Sequence, residues 1–427
     1  MMGGSRKRKI STGTVAILAA AVIVLGVTAF VWVRLSSGKR IDLSRIQSGV
    51  LDLKDTNVKE KETPVVLSAE KTARPAAANV TEKPVESARS FTLTAGGTVA
   101  LDGEVRKNSW YSDVKQYDYY DIMTLLKREM QSDLNIVFLE NLLSEDGRSS
   151  DVIATNAAAA MLKGAGFNLA ACGFSKAYEK EKAGIQTTRK LLTEHGITPV
   201  GIYETIEEDH YRITNINGIR TAVLQYTGTV SSTTRKNMWK NGTSVLIPAA
   251  EAETIEADIN TVRSQGSEVV IVLLNWGKTG KAPDKTMYAL AQKIADAGAD
   301  LIIGNGSRIV SGAEMLTAAH TGRQVLCVWS LGTVLSGDRS NIRRIAGMFL
   351  QVTVKTEEGR TELSDYRYIP LYTWKYKQDS RFYYRCLAAD EAVPDGMDSE
   401  QQKMMKKAAD TVKNAMAGSP VEERSFE

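Results

Sequence analysis

Three histidines and three cysteines in 427 residues leave little from which to build a metal or redox centre. His195, His210 and His320 stand far apart and form no HExxH or HxH group, which argues against a histidine-rich metal site. Cys172, Cys327 and Cys386 make no CxxC pair and no even-numbered framework, so a disulfide-stapled scaffold is not expected. Cys172 and Cys327 lie in apolar strand-like runs and read as buried thiols. No histidine is near Ser175, Ser307 or Ser330 in sequence, so no Ser-His pair emerges. A Ser175–Lys176 dyad is formally available, although adjacent residues rarely point the same way. The net charge of +4 is small and spread along the chain. Beyond the N-terminal cluster there is no basic stripe interleaved with aromatics, which argues against nucleic acid as a partner.

What is present at the N-terminus is a location signal. Arg6, Lys7, Arg8 and Lys9 precede an uncharged, mostly aliphatic run from Ile10 to Val33, closed by Arg34. A helix over that run is long enough to cross a hydrocarbon core of about 30 Å. The expectation is a short cytoplasmic basic tail at 1–9 and a single-pass transmembrane helix at 10–34, a signal anchor. The main domain then lies outside the cytoplasm, at the cell membrane. A cleaved signal peptide is the competing reading, but Phe30-Val31-Trp32-Val33 is bulky where a small-residue cleavage site belongs. Residues 35–89, rich in Lys, Glu, Thr, Ala and Pro, read as a disordered stalk.

From residue 90 short apolar runs alternate with helical segments. Strands are predicted over 91–95, 135–139, 168–172, 222–226, 269–274, 301–304 and 325–330. Helices are predicted over 120–131, 152–164, 184–195, 250–265 and 285–297, with Gly164, Gly196, Gly266 and Gly298 as left-handed caps. Runs near 348–354 and 363–372 lack intervening helices and read as antiparallel. The expected organisation is one α/β domain at 90–375 and a C-terminal extension at 376–427. That extension holds one amphipathic helix at about 399–417, capped by Ser399 with Gln402, and expected to pack back on the domain.

Functional groups in α/β sheets gather on loops leaving the carboxyl ends of strands. Those loops carry Gly96-Gly97, Glu140-Asn141, Phe174-Ser175-Lys176, Asn275-Trp276-Gly277, Asn305-Gly306-Ser307-Arg308 and Ser330-Leu331-Gly332-Thr333. With the framework segments AGFNLAACG, AGIQTTRKLLTEHGITPVG and ADAGADLIIGNGSRIV, this ordered set resembles the CapA family of capsule and poly-γ-glutamate synthesis proteins. The resemblance runs from about 91 to 372. It implies a calcineurin-like, metallophosphoesterase-like layered α/β sandwich.

The departures from the family pattern are as informative. The resemblance aligns the family's first Asp with Gly97, and its Asn-Asn-His run with Phe174-Ser175-Lys176. His-Trp-Gly becomes Asn275-Trp276-Gly277. Gly-His-His-Pro-His becomes the segment ending in Asn305, Gly306 and Arg308, and the Asn of Ser-Leu-Gly-Asn becomes Thr333. Glu140 alone keeps its acidic type. Protonated Lys176 and Arg308 cannot ligate a metal and would repel one, so no metal or other cofactor is expected. Lys176 and Arg308 instead bring fixed positive charge to the former metal pocket, flanked by Ser175, Asn275, Asn305 and Ser307. This composition suits a carboxylate or phosphate group. The alternative is a set of solvated loop residues in which Glu140 pairs one cation.

The expected function is a non-catalytic, polymer-binding or scaffolding role in capsule, poly-γ-glutamate or other anionic envelope polymer handling. A hydrolase or transferase with a rebuilt, metal-free site, using Glu140 and Lys176, is the second reading. A structural protein that assembles with envelope polymer synthesis proteins is the third.

Overall fold

The structure, a computed structural model, describes residues 88–242, 246–357 and 360–425. The basic tail, the expected span at 10–34 and nearly all of the stalk lie outside the described residues. Among the described residues no helix is long and apolar enough to cross a membrane.

The chain begins one sheet with β1 (Arg89–Val99), β2 (Leu134–Leu139), β3 (Leu169–Ala171) and β4 (Thr198–Val200). It forms a second sheet from β5 (Tyr211–Ile216), β6 (Ile219–Thr227), β7 (Val269–Asn275), β8 (Leu301–Asn305), β9 (Ala313–Thr317) and β10 (Gln324–Val328). It then returns to the first with β11 (Thr333–Leu335), β12 (Ala346–Glu357), β13 (Arg360–Gln378) and β14 (Arg381–Ala388). The first sheet runs β14-β13-β12-β1-β2-β3-β4, with β11 also paired to β1, and the second runs β9-β10-β8-β7-β6-β5. Helices α1 (Gly103–Asn108), α2 (Ala157–Ala165), α3 (Glu181–Glu194), α4 (Ser232–Asn241), α5 (Ala252–Ser264), α6 (Lys285–Asp296) and α7 (Ser399–Met416) complete the layers.

Successive side chains on a strand point to opposite faces, so a strand apolar at every position must be covered on both sides. β7 meets that condition from Val269 to Leu274 and ends in the buried polar Asn275. Val269, Ile271 and Leu273 enter a core shared with Leu93, Ile136 and Phe138 of the first sheet, so the sheets pack face to face. Val270, Val272 and Leu274 enter a second core with Ile255 and Ile259 of α5 and Ile294 of α6. On the far side of the first sheet, Val137 and Leu139 pack with Leu162 of α2 and Leu192 of α3. The result is a layered α/β/β/α sandwich, the α/β class expected. β1–β4 are parallel, as are β6, β7, β8 and β10. β12, β13 and β14 add the antiparallel part.

Several local expectations are corrected. The segment over 120–131 is a 3-10 helix, Tyr120–Glu129. The helix expected at 152–164 starts at Ala157, because β-branched Ile153 opens a short strand, Ile153–Thr155, paired with Leu142–Ser144. Its left-handed cap is Gly166 at φ 110° rather than Gly164, while Gly196, Gly266 and Gly298 do take positive φ. The boundary at 375 falls inside β13, and β14 pairs along it, so the sheet continues into the expected extension. Asp398, not Ser399, caps α7: its carboxylate accepts from the Gln401 N–H and the Gln401 side chain answers in a capping box.

α7 packs back on the domain through Met405, Ala408, Val412 and Met416, which join the core between the sheets. Trp374 of β13 donates its indole N–H to Gln401 at 2.9 Å. Met405→Ala is expected to cost about 2–5 kcal/mol in urea unfolding, the range for truncating a buried methionine. Exposed Lys406→Ala should cost less than about 0.5 kcal/mol in the same assay. Equal losses would mean that the helix is not part of the cooperative unit.

Candidate functional site

The carboxyl ends of the two parallel runs converge, and the loops leaving them surround a cavity of about 700 Å³. From the first sheet come Asp102 after β1, Glu140 after β2, and Phe174, Ser175 and Lys176 after β3. From the second come Thr229 after β6, Asn275, Gly277, Lys278 and Thr279 at the end of β7, and Gly306 and Arg308 after β8. Asp151 and Asp338 complete the polar lining.

At the base, Arg308 joins the two sheets. Its guanidinium donates to Glu140 Oε2 from Nη2 at 2.5 Å and from Nε at 2.9 Å, and to Asp102 Oδ2 from Nη1 at 3.2 Å. The other Glu140 oxygen accepts from Thr98 Oγ1 at 3.0 Å and, at a long 3.5 Å, from Asn275 Nδ2. The other Asp102 oxygen accepts from the Gly337 N–H at 2.6 Å and Ser336 Oγ at 3.2 Å. The Asn305 side-chain amide lies 2.7 Å from Thr98 Oγ1. Burial by itself would lower the Arg308 pKa. The charges of Glu140 and Asp102, with their hydrogen bonds, outweigh it and raise that pKa, so the guanidinium stays protonated. Arg308 holds this position at φ 58°, a left-handed conformation that side chains other than glycine rarely adopt.

Packing behind the base sets the loops. Trp276 donates its indole N–H to the Trp329 carbonyl at 3.0 Å and stacks on that ring at 5.7 Å. Ser307 Oγ donates to the Ile309 carbonyl at 3.1 Å and lies 3.0 Å from Ser330 Oγ. Asp151 accepts from the Gly103 N–H at 3.0 Å, the main reason its carboxyl titrates below the usual range.

Of the residues chosen from the sequence, Ser175, Lys176, Asn275, Glu140 and Arg308 line one cavity. Asn305 and Ser307 do not; both are buried behind it and bonded internally. The expectation that Lys176 and Arg308 form a pair of available cations is corrected for Arg308. Two carboxylates within 2.5 and 3.2 Å neutralise it, the pairing with Glu140 foreseen as the alternative. Lys176 stays exposed, with no side-chain hydrogen bond or ion pair to a described residue. Sequence reading missed Asp102, Thr98 and Lys278. Lys278 directly follows Asn275-Trp276-Gly277, a positional signal that was there to use. Asp102 sits three residues past β1, and only tertiary contact with Arg308 marks it.

Fold and site together define a layered α/β protein with a polar cavity at its strand ends and an ion-paired base. A family model described as bacterial capsule synthesis protein PGA_cap matches residues 92–338, and the chain belongs to that family. Among solved structures it is similar to a phosphatase from Mycoplasma pneumoniae, at 12% identity and a TM-score of 0.38, covering 66% of this chain and 94% of that one. It is also similar to the calcineurin-like phosphoesterase YfkN from Bacillus subtilis, at 9% identity and a TM-score of 0.38, covering 77% and 99%. No curated protein sequence matches.

The divalent metals that the resemblance implies do not fit the residues present. A Cβ at Gly97, where the family's Asp would stand, would lie 2.2 Å from the Gly332 carbonyl oxygen. A Cβ at Gly306 would lie 2.6 Å from the Trp276 carbonyl oxygen, at a backbone φ of 106°. The backbone itself closes both ligand positions. Glu140 is engaged at both oxygens, and the Arg308 cation stands beside it. Among the described residues no three His, Cys, Asp or Glu side chains are grouped to hold a metal ion.

Removing one member of a fully buried ion pair strands its partner at a cost of about 3–5 kcal/mol, and a part-buried pair such as this one loses less. Arg308→Ala should therefore unfold at markedly lower urea than the parent. Glu140→Gln, which keeps Asp102 as a partner for Arg308, should lose less. A double variant Arg308→Ala/Glu140→Gln should recover part of the single arginine loss; strictly additive losses in the double-mutant cycle would contradict the coupling.

Proposed function

We propose that this protein is a non-catalytic component of capsule or envelope polymer handling that binds an anionic polymer at the cavity mouth. Membership of the capsule synthesis family supports the setting. The observation that carries the non-catalytic part is the Arg308 guanidinium on Glu140 and Asp102, where a hydrolytic metal would need free ligands. The cavity rim supports the binding part. Lys176 on one side and Lys278 on the other are exposed; neither forms a close ion pair with a described residue, and the carboxylates that feel their charges are Asp151 and Asp284, respectively. Ser175, Thr229 and Thr279 supply hydroxyls beside them. Lysine is a flexible point charge on a long stem, suited to successive carboxylates or phosphates whose spacing is not rigid. Poly-γ-glutamate is the leading ligand, with other anionic wall polymers as alternatives.

In this reading residues 10–34 anchor the chain in the cell membrane with the domain outside, where envelope polymer synthesis proteins are its neighbours. A carbonate wash of membranes checks the anchor: the protein should stay in the pellet, and release into the supernatant would remove it.

The functional test uses the full-length chain. After incubation with Mn²⁺, Zn²⁺ and Fe²⁺ and washing, it should hold no stoichiometric metal and should not cleave a phosphoester. It should retain poly-γ-glutamate, and Lys176→Ala with Lys278→Ala should weaken retention about fivefold, whereas stalk variant Lys54→Ala should not. Turnover that falls in Glu140→Gln or Lys176→Ala would instead establish the hydrolase or transferase reading.

A further inference from the structure

Between Asp209 and Glu251 the chain contains no acidic residue, and α4 lies inside that stretch. The helix carries Arg235, Lys236 and Lys240, all exposed, and none forms an ion pair with a described residue. Thr234 and Met238 are buried and fix which side faces the domain. Positions 235 and 239, and 236 and 240, are four apart and share the outer side. Like charges at that spacing, as at Lys236 and Lys240, weaken a helix, so the arrangement does not serve helix stability. Trp239 sits among these cations with 86% of its surface exposed, the highest value for a large apolar side chain among the described residues.

The helix is bolted to the cavity mouth. The Ser231 N–H donates to the Ser175 carbonyl at 2.7 Å, and Ser231 Oγ donates to Glu179 Oε1 at 2.9 Å while capping α4 through the Thr234 N–H. Asn237 Nδ2 donates to the Tyr178 carbonyl at 3.3 Å. The loop that presents Lys176 is therefore the loop on which α4 rests.

We propose that the outer side of α4 is a second contact surface for the polymer bound at the cavity, so that one anionic chain runs from Lys176 across Arg235, Lys236, Trp239 and Lys240. This rests on the polymer-binding reading above and assigns it a path. Charge complementarity selects the occupant: a linear polymer with carboxylates at regular intervals can meet successive point charges along one face. The exposed indole offers a flat apolar surface to the amide and methylene groups between those carboxylates. A membrane surface is the weaker match, because an interfacial helix buries a broad apolar side in lipid, and here Met238 faces the domain instead.

The test compares the full-length parent with Arg235→Gln/Lys236→Gln/Lys240→Gln and with Trp239→Ala. The probes are long poly-γ-glutamate, the dipeptide γ-glutamylglutamate, and phosphatidylglycerol vesicles. Long-polymer affinity should fall about tenfold in the triple variant and about threefold in Trp239→Ala, with dipeptide affinity unchanged, as exposed contacts each worth a few-fold would give. The polymer contribution of α4 should also shrink as salt is raised. Unchanged polymer affinity in both α4 variants, with Lys176→Ala still weakening it, would overturn the path but leave the cavity reading intact. No retention of polymer by the parent would overturn both. Loss of vesicle binding without loss of polymer binding would assign α4 to the membrane and overturn the proposal.

Discussion

The contact on which the site depends is the ion pair of Arg308 with Glu140, extended to Asp102. Glu140 leaves β2 of one sheet and Arg308 follows β8 of the other, so the pair ties the sheets together at the end where the loops open. Two carboxylates brought this close in a low-dielectric base would repel unless a cation stood between them. In a metallohydrolase that cation would be an exchangeable ion. Here it is a side chain, covalently part of the fold, on a residue at a left-handed φ of 58°. The energetic role of a central positive charge is thus kept while its Lewis acidity is absent.

That ion pair divides the cavity into two regions with different physics. At the base, Arg308, Glu140 and Asp102 are part-buried and paired with one another, so their charges are already largely compensated. At the rim, Lys176 and Lys278 keep their charges in water, where they can trade hydration for contact with an anion at small cost. α4 continues the rim as a surface of the same sign. In the proposed reading, recognition rests on several weak, spaced contacts instead of one deep pocket, which would suit a repetitive polymer better than a small substrate.

The antiparallel strands and the last helix serve this arrangement from a distance. β12 pairs with β1 along most of its length and so braces the strand that delivers Thr98 and Asp102. α7 closes the core beside β12 and β13 through its methionines and Val412. The residues beyond 375 therefore belong to the same cooperative layer as the site-bearing strands.

Local chemistry in the sequence was enough to determine the α/β class, the strands that carry the site loops, three of the four left-handed glycine caps and the family. Each rests on short-range periodicity or on ordered motifs, which do not need neighbours to be read. It also marked Lys176 and Arg308 as poor metal ligands, because a protonated lysine or arginine is one wherever it sits. Tertiary structure alone decided which cation was available. Whether Arg308 was free depended on Asp102, 206 residues away, and on Glu140, 168 residues away, and charge pairing over such separations has no signature in the linear chain. The same holds for Asn305 at the end of β8 and Ser307 in the loop after it, both of which turn inward, and for α4, whose contact with the Lys176 loop has no local signal.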